Sequence, residues 1–223
     1  MIRKPTPARL AIAALIPVAL AACGVTEAAR QATTAPTIAA PERPSLGRRV
    51  ASTLTPGQSQ PAMRWGEDNP EWTAAALEAL NAEGIALLSA MPADVMQYCP
   101  GYATASRENR AAFWAGLLSA VARHESGQDP RAQAGGRFGL LRITRRSAAD
   151  SGCGGSLLKA EDNLKCAVRI MARHVASDGA IGGTDAAPGR TGWRGLARDW
   201  MPLRSAEKRG EIAGWTRAQS YCR

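Results

Sequence analysis

From about residue 65 onward, apolar residues recur at helical spacing, and no run alternates long enough to make a convincing strand. Phe113, Trp114, Leu117, Leu118 and Val121 trace one helix face. Ser106 is placed to cap that helix, and Gly127 and Pro130 end it. Leu164, Ala167, Val168, Met171 and Val175 form a second buried stripe. Glu161 and Asp162 sit at its start, where the helix dipole favours acidic groups, and Gly179 stops it. Asn69-Pro70 suits an N-cap followed by proline at the first helical position, opening a helix to about Ser89. A short helix from about Thr144 to Ser151 and a last one from about Ser205 to Arg217 complete the set, with room for a small hairpin in 131–143. No internal repeat is visible. The pattern predicts a mainly α domain over residues 65–223, long enough for a proper core.

The first 64 residues read differently. Arg3, Lys4 and Arg9 form a positive segment, and Leu10 to Leu20 is apolar but too short to span a bilayer. Residues 1–22 therefore read as an export signal. Leu20-Ala21-Ala22-Cys23 resembles the bacterial lipobox, which implies cleavage before Cys23 and acylation of that cysteine. Two or more acyl chains anchor a protein stably. Gly24 after the cysteine, rather than Asp, is similar to lipoproteins sorted to the outer membrane, so the expected location is that membrane, facing the periplasm. Residues 23–64 are rich in Ala, Thr, Pro, Ser and Gln and read as a flexible tether.

Export changes how the cysteines are read. Cys99, Cys153, Cys166 and Cys222 remain after Cys23, an even set that argues for two disulfides with three possible connectivities. The favoured pairing is Cys153–Cys166, closing a short loop, with Cys99–Cys222 tying the C-terminus to the body. Zinc is a poor alternative: there is no C-x-x-C pair, and His124 and His174 lie away from ligand spacing. His124-Glu125 does not continue into H-E-x-x-H, because position 128 is Gln128. No metal or cofactor is expected. The chain carries 28 basic and 19 acidic residues, and removing the three basic signal residues leaves a net +6. With no nucleic-acid motif and an export signal, nucleic acid is not an expected partner. The charge is compatible with an anionic envelope polymer or with a simple solvated surface. The sequence identifies no protein partner.

Glu125 is the candidate for chemistry. It follows Val121 by four residues and Leu118 by seven, so it continues their apolar face. Glutamate is rarely buried unpaired, and desolvation raises its pKa, as a general acid requires. The competing reading is a structural glutamate paired with Arg123, Arg137 or Arg142.

The surrounding blocks bear on that choice. Glu125-Ser126, Pro130 and Ala132, then Gly139-Leu140-Leu141, then Asn163-Leu164 resemble the catalytic domain of soluble-type lytic transglycosylases over about 113 to 178. The resemblance implies a lysozyme-like fold, action on peptidoglycan glycan strands, and Glu125 as the sole catalytic acid/base. It further implies that Ser126 orients the acid or contacts sugar and that Gly139 allows close backbone approach in the cleft. Leu140 would help form the cleft wall, and Asn163 would support the site from the facing helix. Two departures stand out. Arg142 occupies the position of the family's Gln; an arginine offers only donors, and it would either hold the sugar or pair with Glu125 and weaken the acid. The family's later aromatic-Asn motif is not visible, and Trp200, or Trp193 seven residues earlier, is the candidate aromatic wall. Trp72 and Trp114 read as core.

Three functions are then in view. A lytic transglycosylase would use one carboxylate to cleave the MurNAc–GlcNAc bond with formation of a 1,6-anhydro ring. A hydrolytic lysozyme normally needs a second carboxylate, for which Asp129, Asp150, Glu161 and Asp162 are available. A wall-binding lipoprotein without activity is the third, kept open by Arg142.

Overall fold

The computed structural model describes residues 60–183 and 192–223, so the signal segment, Cys23 and most of the tether lie outside the described residues. Among the described residues the chain is mainly helical with one small antiparallel sheet. The helices are α1 (Pro70–Ala82), α2 (Ile85–Ser89), α3 (Val95–Tyr98), α4 (Arg107–Ser126), α5 (Arg145–Asp150), α6 (Ala160–Asp178) and α7 (Ala206–Arg217).

α4 is buried continuously from Ala111 to Ala122. A helix covered on all sides needs small residues as well as an apolar stripe. Its alanines and Gly116 supply them. A Cβ at Gly116 would lie 2.1 Å from the Tyr221 hydroxyl, so glycine makes room for the C-terminal turn. The ends follow from local chemistry: Ser106 Oγ accepts from Asn109 N–H at 3.2 Å, and Gly127 closes the helix at φ 64°. α6 ends in the same way at Gly179, φ 60°. Thr144 and Ser205 cap α5 and α7 through the amides of Ser147 and Lys208.

The helix predicted from Pro70 to about Ser89 is broken instead into α1 and α2. The break lies at Glu83–Gly84, where a Cβ on Gly84 would come within 2.9 Å of Leu80 Cα and of Val168 on α6. The predicted hairpin is present and larger. β1 (Gln133–Ala134) and β2 (Arg137–Phe138) flank Gly135-Gly136, at φ 57° and 71°, as a two-residue hairpin turn requires. β3 (Ile143–Thr144) adds a third antiparallel strand with Phe138 opposite Ile143.

α1 packs against both α4 and α6, while α7 and the 3₁₀ turn Met201–Leu203 close over α4. This brings Met201 to the C-terminal end of α4. Both expected disulfides are formed, Cys99–Cys222 with Cα atoms 4.7 Å apart and Cys153–Cys166 at 5.3 Å. The boundary predicted at residue 65 shifts. Arg64 N–H donates to buried Ser119 Oγ at 2.8 Å, Tyr221 Oη donates to Ala62 O at 3.2 Å, and Met63 is buried. Residues 62–64 thus belong to the folded body, because their backbone groups find partners there.

Candidate active site

Glu125 sits in the last turn of α4, on the continuation of the Leu118–Val121 face, and its side chain is only 7 % exposed. It opens onto a cavity of about 570 Å³ between the end of α4, the sheet and the segment 193–208. The Met201 amide donates to Oε1 at 3.0 Å, and Arg137 Nη2 lies 4.0 Å from the same oxygen. Burial pushes the Glu125 pKa above the usual glutamate range; Arg137, the Met201 amide, Arg142 and Lys208 pull against it without reversing it. The group therefore holds its proton to higher pH than an exposed glutamate while keeping donors aimed at the carboxylate formed when the proton leaves.

Arg137 is positioned from behind. Its Nη2 donates to the Asp199 carbonyl. The Asp199 carboxylate is fixed by Ser147 Oγ and by His174 Nε2 at 2.5 Å, with Arg173 4.0 Å away. Burial would raise Asp199, but His174, Ser147 and Arg173 outweigh it and hold its carboxyl below the usual range. Asp199 is thus a charged anchor for the 199–201 backbone, and its oxygens are already occupied.

The candidate residues separate into distinct roles. Ser126 Oγ donates to Ala122 O at 3.2 Å and accepts from Gln128 N–H at 3.1 Å, which closes the helix end beside the acid. Asn163 is fully buried. Its Oδ1 accepts from Leu141 N–H at 2.8 Å, and its Nδ2 donates to Phe138 O at 3.1 Å and Leu157 O at 2.8 Å. It clamps the turn between β2 and β3. Gly139 needs its φ of 73°, and a Cβ there would meet Leu157 O at 1.9 Å and Asn163 Nδ2 at 2.5 Å. Its close approach is to the protein, not to a ligand in the cleft.

Two wall assignments are corrected. Leu140 is completely buried beneath the turn and forms core, not cleft wall. Trp200 is also completely buried, with Nε1 donating to Leu141 O at 2.9 Å, so its ring has no free face for a sugar. Trp193 lines the cavity instead, with the Arg204 guanidinium 5.6 Å from its ring centroid. Met201, 58 % exposed, adds an apolar edge.

Arg142 also lines the cavity. It forms no ion pair with Glu125; its Nη2 donates to Ala134 O at 2.8 Å. Arg137, not Arg142, is the cation against the acid. Arg137 was only one of three possible partners in the sequence. The Met201 amide and the Asp199 anchor had no local signal, since each is joined to the site across many residues.

No known family profile and no curated protein matches the sequence. Solved structures do. The chain is similar to DslA (Bd0314). The wild-type form 2 structure superposes with a TM-score of 0.66 at 29 % identity, covering 74 % of this chain and 100 % of that one. Two mutant structures of DslA, each with one glutamate replaced by glutamine, match with the same TM-score and coverage at 29 % and 28 % identity.

Proposed function

We propose that this protein is a peptidoglycan lytic transglycosylase with a lysozyme-like domain. What supports the domain reading is a buried helix that ends in the acid, followed by a small antiparallel sheet and further helices. The observation that carries the activity is Glu125: a buried, proton-retaining carboxyl with Met201 N–H at 3.0 Å and Arg137 at 4.0 Å, open to a cavity. Among the described residues lining that cavity it is the one carboxylate. Asp199, the next acid behind it, has its carboxylate bound by Ser147 and His174. A hydrolase of the two-carboxylate type needs a second acid free to act at the bond.

In this mechanism Glu125 donates its proton to the oxygen joining MurNAc to GlcNAc, and that bond breaks to leave an oxocarbenium-like C1 on MurNAc. The Met201 amide and Arg137 stabilise the carboxylate left behind. That carboxylate takes the proton of the same sugar's C6 hydroxyl as its oxygen attacks C1, closing a 1,6-anhydro ring and regenerating the acid. Trp193 and Met201 provide the apolar wall against the sugar rings. The proposal extends to the N-terminus: acylation at Cys23 would hold the enzyme at the outer membrane, within reach of the wall.

The test is solubilisation of dye-labelled sacculi by the wild type and by Glu125→Gln. The variant should lose activity by at least about a thousandfold while its circular dichroism stays native-like and its unfolding cooperative, as expected when the acid that drives bond cleavage is removed. Retained activity in the variant would remove Glu125 from the mechanism.

A further inference from the structure

The cavity beside Glu125 carries more positive charge than a neutral sugar chain requires. Arg137, Arg142, Arg204 and Lys208 all line it. Two of these are committed. Arg137 donates to the Asp199 carbonyl and faces Glu125. Arg204 donates from Nε to Ala197 O and from Nη2 to Arg198 O, both at 2.8 Å, and lies over Trp193. Arg142 and Lys208 are different. Arg142 gives one donor to Ala134 O, and beyond its longer-range pull on Glu125 its guanidinium makes no ion pair among the described residues. The exposed Lys208 ammonium acts on Glu125 and His124 only through space, with no hydrogen bond or ion pair among the described residues.

The backbone at Arg142 adds a second observation. It sits at φ 50° in the left-handed region, between Gly139 and β3, where a side chain is disfavoured. Glycine or asparagine would fit that conformation more easily. A strained residue whose guanidinium has donors to spare in a cleft points to a ligand group that meets it. The fork of an arginine matches a carboxylate, and a lysine beside it adds a point charge.

We propose that Arg142 and Lys208 form a carboxylate-binding subsite beside Glu125, so that the groove favours glycan strands bearing carboxylates over neutral strands of equal length. This rests on the transglycosylase reading only in taking the cavity as a glycan groove. Peptidoglycan offers two such carboxylates: those of the stem peptides, and the lactyl group of the sugar itself once the peptide is removed. The Arg that replaces the family's Gln then holds substrate rather than disarming the acid.

The experiment measures binding by calorimetry to the full chain carrying Glu125→Gln, so that turnover plays no part. Three ligands of matched length are compared: peptide-bearing muro-oligosaccharide, the same strand stripped of peptide, and chito-oligosaccharide. At least one carboxylate ligand should bind about tenfold more tightly than the neutral one, the value of one charge-assisted contact. Which of the two does so identifies the carboxylate. Adding Arg142→Gln and Lys208→Gln should bring all three affinities together, and Lys208→Gln alone, on an exposed side chain, should remove part of the preference without affecting folding. Equal binding of all three ligands, or a preference that survives both substitutions, overturns the subsite and leaves the glycan groove standing. Binding of none overturns the glycan groove, and the subsite with it.

Discussion

Asn163 gives a prediction that follows from counted hydrogen bonds. Its carboxamide satisfies three backbone groups of the segments that frame the site, at Leu141, Phe138 and Leu157. In Asn163→Ala the Leu141 N–H is left buried without an acceptor, at a cost of about 1–3 kcal/mol. The two carbonyls are only partly buried and lose about 0.5–1.5 kcal/mol each, because water reaches them in part. The total is about 2–6 kcal/mol, centred on ~4, a large share of the roughly 5–15 kcal/mol that holds a domain together. The melting temperature should fall by about 10 °C, since each kcal/mol lowers it by ~2–4 °C in a domain of this size. Urea unfolding should show a lower midpoint with an unchanged slope. Asn163→Asp should not rescue, because a carboxylate offers no donors to the Phe138 and Leu157 carbonyls. A loss under about 1 kcal/mol would refute the clamp. Full stability with weakened substrate binding would instead make Asn163 a ligand contact.

Two further predictions concern stability. Glu125 has its pKa raised by burial, so its contribution to stability is present below the unfolded glutamate pKa and is lost as pH rises through the folded value. Glu125→Gln should therefore gain stability relative to wild type at pH 8 but not at pH 4, measured by melting at both; an equal difference at the two pH values contradicts the raised pKa. Cys99–Cys222 closes a 123-residue separation and Cys153–Cys166 one of 13. On loop entropy their losses should cost about 5 and about 3 kcal/mol, so Cys99→Ser/Cys222→Ser should melt lower than Cys153→Ser/Cys166→Ser, and the reverse order contradicts that ranking.

Asp178 sets the acid end of the stability profile. Burial works to raise it, but Arg198, the Gly195 amide and Ser177 bring its carboxyl down to about 2. The stability it provides is present above the ordinary aspartate pKa and lost as pH falls toward 2. Asp178→Asn should flatten that acid limb; an unchanged limb would count against the network.

What was legible in the sequence was mostly local. Ser106, Gly127 and Gly179 fix helix ends through their own backbone chemistry, and the stripe from Phe113 to Val121 places Glu125 on the buried face. The two disulfides were legible because one pair is close in sequence and the other leaves no better choice. The misses have non-local causes. Gly84 breaks the first helix because Val168 on α6 approaches it. Trp193 reaches the cavity and Trp200 the core, since the chain between them runs through the 3₁₀ turn Gly195–Arg198 rather than a continuous helix. Leu140 lies in a turn that Asn163, on α6, holds in place, so their conspicuous residue types mark packing and clamping. Met201 contributes a main-chain amide, which no side-chain pattern announces.

The central claim is that a single acid, Glu125, cleaves the glycan by intramolecular transfer. The most direct measurement is mass spectrometry of the muropeptides released from purified sacculi by the wild-type protein, with Glu125→Gln as control. The account predicts 1,6-anhydro-MurNAc ends from the wild type and no release by the variant. Products with reducing MurNAc ends would contradict it, because they require water as nucleophile.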